Sequence, residues 1–111
     1  MEIDTTQYKH CDLIQVVGRV DSYTAPQLGE AFDEITGAGR YKIVFDMEGI
    51  DFMSSAGLGT LIGAQKTCKR YNRGEVVLVK VPQRIYEALE LAGFVPLFRF
   101  YDNVTDAVGN F

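Results

Sequence analysis

The sequence predicts an α/β domain built on one mainly parallel (mixed) sheet, and three observations lead there. Runs rich in Val, Ile and Phe alternate with helix-spaced apolar stripes in the order ββαβαβαβα, and such alternation implies right-handed crossovers between parallel strands. The run at 41–46, with Ile, Val and Phe in succession, reads as a strand buried on both faces. The chain has 111 residues, 47% hydrophobic and 23% charged, enough for one globular core and without a composition shift that marks a linker. A single domain over residues 1–111 is therefore expected, with the first strand antiparallel at an edge.

Each element has its own signal. Residues 2–8 alternate weakly and 13–17 are rich in β-branched side chains. The polar stretch Lys9-His10-Cys11-Asp12 turns the chain between them, so the two form a hairpin. Thr24-Ala25-Pro26-Gln27 has the Thr-x-x-Gln form of a capping box, with proline in the first turn. Leu28, Ala31, Phe32 and Ile35 then make one helical stripe, which Gly37 and Gly39 stop. The strand at 41–46 ends in Asp46, and a connection through Gly49 leads to Ser54 and Ser55. A second helix follows, with Leu58, Leu61 and Ile62 on one face and Ala64, Cys68 and Tyr71 extending it. Lys66, Lys69, Arg70 and Arg73 crowd its end, which Asn72-Arg73-Gly74 closes. Residues 75–81 are the strongest strand. Pro82 opens a third helix with Ile85, Ala88, Leu89 and Ala92 inward and Gly93 as its C-cap. Residues 97–101 form a last short strand. Val104, Ala107, Val108 and Phe111 mark a final helix, capped by Asp102 or Asn103.

Composition excludes several function classes. Eleven Lys and Arg against fifteen Asp and Glu give a net charge of −4, a poor basis for binding nucleic acid or an anionic membrane. No apolar run approaches the roughly 18 residues of a membrane span, and the acidic Met-Glu-Ile-Asp start leads into no apolar signal segment. A cytoplasmic address is expected, with Cys11 and Cys68 reduced. His10 is the single histidine, too few ligands for a metal site, and no Gly-x-Ser-x-Gly or His-Glu-x-x-His motif occurs. No cofactor is implied, and no catalytic residue.

The informative stretch runs from 46 to 63. A buried strand ends in an acid, a short segment follows, and two serines open a helix. A helix start carries free N–H groups and about half a positive charge, so it accommodates a phosphate on a serine. The alternative is that a serine there is simply the N-cap, contributing ~1 kcal/mol. Gly57 and Gly59 each cost up to ~1 kcal/mol in a helix relative to alanine, which points to close approach by another backbone or molecule, or to tight packing on the sheet.

The segment Phe52-Met53-Ser54-Ser55-Ala56-Gly57-Leu58-Gly59 resembles the signature of STAS domains (sulfate transporter and anti-sigma factor antagonist), whose antagonist branch reads close to Phe-Met-Asp-Ser-Ser-Gly-Leu-Gly. Val44-Phe45-Asp46-Met47 resembles the preceding strand, and Gly18-Arg19-Val20-Asp21-Ser22-Tyr23-Thr24-Ala25 the family's Gly-x-Leu-Asp-x-x-Thr-Ala. Leu89-Glu90-Leu91-Ala92-Gly93-Phe94 and Asp106-Ala107-Val108 resemble its later motifs. The likeness runs through nearly the whole chain in order and implies the STAS fold.

The resemblance implies an anti-sigma factor antagonist without enzymatic activity. Its unphosphorylated form binds an anti-sigma factor that is also a serine kinase, and this frees the sigma factor. Phosphorylation ends the binding, and a metal-dependent serine phosphatase resets the protein. The family's phosphoacceptor falls on Ser55, with Ser54 in place of the preceding Asp and Ala56 in place of the following Ser; Ser54 is the alternative acceptor. The partner surface is expected at the helix start and the adjacent loop, where the glycines clear space and Tyr23 and Met53 flank the serines; it comprises Asp21, Ser22, Tyr23 and Thr24 with Met53, Ser54, Ser55, Ala56, Gly57 and Gly59, on a monomer or weak dimer, and the basic helix end from Lys66 to Arg73 is the competing surface. Two other readings stand beside it. One is an interaction subunit of a lipid or anion transporter, or of a stress-sensing assembly. The other is a nucleotide-binding module, weakened by the lack of a Gly-x-x-x-x-Gly-Lys motif.

Overall fold

The structure, a computed structural model, describes residues 1–70 and 74–111. A hairpin of β1 (Glu2–Gln7) and β2 (Asp12–Val20) is followed by α1 (Ala25–Gly37), β3 (Lys42–Met53) and α2 (Ser55–Arg70). Then come β4 (Glu75–Val79), α3 (Gln83–Leu91), a single 3-10 turn (Val95–Leu97), β5 (Phe100–Tyr101) and α4 (Val104–Gly109). The strands lie in the order β1-β2-β3-β4-β5, antiparallel between β1 and β2 and parallel thereafter. The mixed, mainly parallel sheet read from the sequence is the one found.

Sequential order has a geometric consequence. Crossovers of one hand that always step the same way put their helices on the same face. Buried residues of α1, α2 and α3 accordingly share one core with Ile14 and Val16 of β2, Ile43, Phe45 and Met47 of β3, and Val76 and Leu78 of β4. Phe32 of α1 meets Phe45 edge to face, with ring centroids 5.4 Å apart. The alternate side chains Leu13, Val44, Val77 and Val79 point to the other face, where Ala107 of α4 covers them. Cys11 belongs to that second cluster and Cys68 to the first. The sheet separates the two thiols, and both are free and buried.

Several boundaries differ from the sequence reading. β3 does not end at Asp46 but runs on to Met53. Gly49 is therefore not a loop residue. It sits within the strand, beside an irregularity in the pairing with β2, and a Cβ there would lie 2.8 Å from Val17 Cγ2 and 3.1 Å from the Val16 carbonyl oxygen. Asp46 is thus mid-strand and buried, accepting hydrogen bonds from Gln15 Nε2 at 3.1 Å and the Glu48 N–H at 3.0 Å. β4 stops at Val79, where Lys80 turns the chain with φ of +51°. The last strand shrinks to two residues because Val95–Leu97 coils first. Ala92 is exposed, beyond the end of α3, and does not face the core. Tyr71, Asn72 and Arg73 lie outside the described residues.

The capping-box expectation at Thr24 is also corrected. Thr24 is the N-cap of α1, but its side chain makes no capping bond. Its hydroxyl donates to the Arg19 carbonyl at 2.9 Å and accepts from the Asp21 N–H at 2.8 Å. Asp21 has taken over the local donors, accepting from the Tyr23 and Thr24 N–H groups.

At the other end of α1, Gly39 has a φ of +81°, and the Gly39 and Arg40 N–H groups return to Thr36 and Ile35. This αL termination aims Arg40 back at the hairpin. Its Nε donates to the buried Asp12 carboxylate, and its Nη2 donates to the Tyr8 and Cys11 carbonyls. Removing one partner of such a pair strands the other. Arg40→Ala is expected to cost about 2 kcal/mol, below the range for fully buried pairs because the guanidinium is partly exposed. Urea unfolding followed by far-UV circular dichroism reads this as a lowered midpoint at unchanged slope.

Candidate functional site

The site is built where β2 and β3 end together. Val20 pairs with Met53 in the parallel register, so the residues that follow, Asp21 and Ser54, leave the sheet side by side. The Ser54 N–H donates to the Val20 carbonyl at 2.8 Å, which ties the start of α2 to the loop at 21–24.

The two serines then take different roles. The Ser54 hydroxyl accepts from the Gly57 N–H at 3.3 Å, and its carbonyl accepts the first helical bond, from Leu58, at 2.9 Å. Ser54 is therefore the N-cap. Ser55 is the first helical residue. It is exposed, and its hydroxyl has no partner among the described residues. The cap contribution belongs to Ser54: Ser54→Ala is expected to cost ~1 kcal/mol and Ser55→Ala only a few tenths. Thermal unfolding of the two variants side by side separates them.

The glycines divide in the same way. Gly57 is buried, and a Cβ there would lie 2.8 Å from both Met53 Cγ and Val20 Cγ1. It lets α2 settle on the sheet. Gly59 is exposed and a Cβ would meet nothing within 4 Å. Met53 is 9% exposed, so it supports the site from beneath rather than flanking it at the surface. Ala56 is exposed beside Ser55.

The loop at 21–24 is held from within. Asp21 Oδ1 accepts from the Tyr23 N–H at 2.9 Å and the Thr24 N–H at 3.1 Å, and Oδ2 from Arg19 Nε at 3.2 Å. The backbone donors from Tyr23 and Thr24 hold the Asp21 carboxyl below its ordinary pKa. The ordering it supplies is therefore complete above the ordinary carboxylate range and fades as pH falls through the lowered value. Asp21 thus shapes the loop, and no bond joins it to Ser55. The Arg19 guanidinium lies 3.9 Å above the Phe52 ring. With its backbone pinned, Tyr23 presents a side chain that is 91% exposed, next to exposed Ser22.

One participant was missed in the sequence. Gln65 is 2% exposed; its Oε1 accepts from the Val76 N–H at 2.6 Å and its Nε2 donates to the Leu97 carbonyl at 2.7 Å. It fixes α2 to the start of β4 and to the 3-10 turn. Its spacing from Leu61 and Cys68 was the available signal. Burial pushes the Cys68 thiol up to about 11, and the Cys11 thiol is raised as well, which keeps both out of thiolate chemistry. Among the described residues no cluster of His, Cys, Asp or Glu is placed to hold a metal ion, and no helix is long and apolar enough to cross a membrane.

The arrangement is a small α/β domain that offers a free serine hydroxyl at a helix start, beside a rigid loop with an exposed aromatic side chain. The STAS domain family model matches residues 2–107. The chain belongs to the STAS domain family, and its curated relatives put it with that family's anti-sigma factor antagonists. It is 30% identical over 97 residues to the anti-sigma-B factor antagonist of Staphylococcus aureus, covering 87% of this chain and 89% of the relative. It is 28% identical over 110 residues to that of Listeria monocytogenes, covering 99% and 95%. Among solved structures, the Bacillus cell fate determinant SpoIIAA in its phosphorylated form aligns with a TM-score of 0.78 at 15% identity, covering 98% of both chains. The unphosphorylated form of SpoIIAA, an anti-sigma factor antagonist, gives the same TM-score at 14% identity, covering 98% of this chain and 96% of the other.

Proposed function

We propose that this protein is a cytoplasmic anti-sigma factor antagonist that works by partner switching, as one regulatory domain without enzymatic activity of its own. In its unphosphorylated form it binds an anti-sigma factor that is a serine kinase, and the sigma factor is released. The kinase transfers the γ-phosphoryl group of ATP to Ser55 Oγ; the hydroxyl proton leaves, ADP is the by-product, and the complex separates. A metal-dependent serine phosphatase hydrolyses the phosphoserine and restores binding. The partner surface consists of Ser22, Tyr23, Ser55, Ala56 and Gly59, with Asp21, Thr24, Met53, Ser54 and Gly57 holding it in shape.

The observation that carries this reading is the division of labour at the helix start. The Ser54 hydroxyl is spent on the cap, while the exposed Ser55 hydroxyl has no partner among the described residues. A phosphate on Ser55 would sit at the positive end of α2, where the first N–H groups favour an anion. The test is incubation with the anti-sigma factor kinase of the same organism and ATP, followed by peptide mass spectrometry. Phosphate is expected on Ser55, and Ser55→Ala is expected to take up none. Label that survives Ser55→Ala and vanishes in Ser54→Ala would overturn the assignment.

A further inference from the structure

Ser55 stands at the lip of a groove of about 490 Å³ that continues along α2, lined by Leu58, Gly59, Ile62, Gly63 and Lys66 on one side and by Ala92 and Phe94 on the other. α1 packs directly along the opposite flank of α2. The groove is mostly apolar, with one cation at its far end. On its α3 side stands Leu91, next to Ala92 and 92% exposed, a large apolar side chain left in water. From Ser55 to Lys66 the helix rises about 16 Å, close to three turns.

We infer that this groove is the seat of an amphipathic helix of the same kinase that acts on Ser55, a helix about three turns long with an apolar face and an acidic side chain placed to meet Lys66. The inference rests on the partner-switching reading of Ser55. Three points select this occupant. The groove is continuous with Ser55, so a partner that closes on the hydroxyl also covers it. One wall is α2 and the other is the turn that ends α3, whose Ala92, Gly93 and Phe94 N–H groups are bonded back to Ala88, Glu90 and Leu89, so an extended segment would find no free N–H donor on either wall to pair with, whereas a helix brings its own bonds. Gly59 and Gly63 have open space where a side chain would stand, which lets a second helix approach at the 8–10 Å separation of packed helices. Lys66 then rewards a carboxylate at the far end, a contact that sets register more than affinity.

The experiment is calorimetric titration of the same organism's anti-sigma factor kinase into the wild type and three variants. Gly63→Arg and Ala92→Arg fill the groove from opposite walls. Both positions are exposed, so folding is retained, and far-UV circular dichroism checks it. Each is expected to weaken binding at least tenfold, and Lys66→Glu about threefold, while Lys9→Glu at the distant hairpin turn leaves affinity unchanged. Wild-type affinity in both filling variants, with Ser55 still labelled, would overturn the groove and leave the switch standing. A kinase that neither binds nor labels the wild type would overturn the reading on which the groove rests. Sedimentation velocity covers the other occupant: dimers of the wild type that Ala92→Arg splits would assign the groove to a second copy of this chain and overturn the inference.

Discussion

Gly57→Val is expected to lower stability by about 3 kcal/mol, whereas Gly59→Ala, two residues along the same helix, should raise it by up to ~1 kcal/mol. The difference is positional. A Cβ at Gly57 would lie 2.8 Å from Val20 Cγ1 and 2.8 Å from Met53 Cγ, and Val20 is a stiff β-branched side chain fixed in the sheet. Valine adds two further carbons in that space, so α2 must lift from β2 and β3. At Gly59 a Cβ meets nothing, and alanine brings only its better helix propensity. Urea unfolding of both variants, with binding measured in parallel, checks the assignment. Equal effects would show that the two glycines are not divided between packing and surface. The lifted helix start should also cost Gly57→Val its phosphorylation, because Ser55 rides on the same turn.

Most of the fold was legible because strand and helix periods alternate cleanly, and the stripes at Leu28, Phe32 and Ile35 and at Leu61, Ile62 and Cys68 do face one core. What was not legible depended on contacts between segments distant in sequence. Gly49 has the look of a turn, and only the nearness of Val16 and Val17 shows that it is a strand residue pressed against its neighbour. Thr24 fits a capping box in spacing, yet its hydroxyl is turned back to the Arg19 carbonyl and the Asp21 N–H, and its own N–H is taken by the Asp21 carboxylate. Gln65 is a polar residue on a buried stripe; its partners, Val76 and Leu97, come 11 and 32 residues later. At the site, the sequence named both serines but not their roles, since Ser54 becomes the cap through the path of β3 into α2. Gly57 and Gly59 were alike in the motif and separate only once one face of α2 is known to rest on Val20 and Met53.

Phosphorylation of Ser55 is expected to weaken the complex with the kinase at least tenfold without unfolding the antagonist. A tenfold loss requires only about 1.4 kcal/mol. A phosphate adds about −1.5 to −2 charges that must be desolvated beneath a docked partner, on a chain already at −4. The helix end works the other way on stability: an anion at the first turn of α2 gains ~0.3–1 kcal/mol from the dipole, so the phosphorylated protein should melt no earlier than the unmodified one. Titrating the purified phosphoprotein against the kinase at low and at 0.5 M salt separates the two contributions. Charge repulsion fades as the Debye length shrinks, whereas lost shape complementarity does not. A loss that persists at high salt assigns the switch to the desolvation and bulk of the phosphate at the lip of the α2 groove, and one that fades assigns it to like-charge repulsion; affinity equal to that of the unmodified protein at both salts would sink the switch itself.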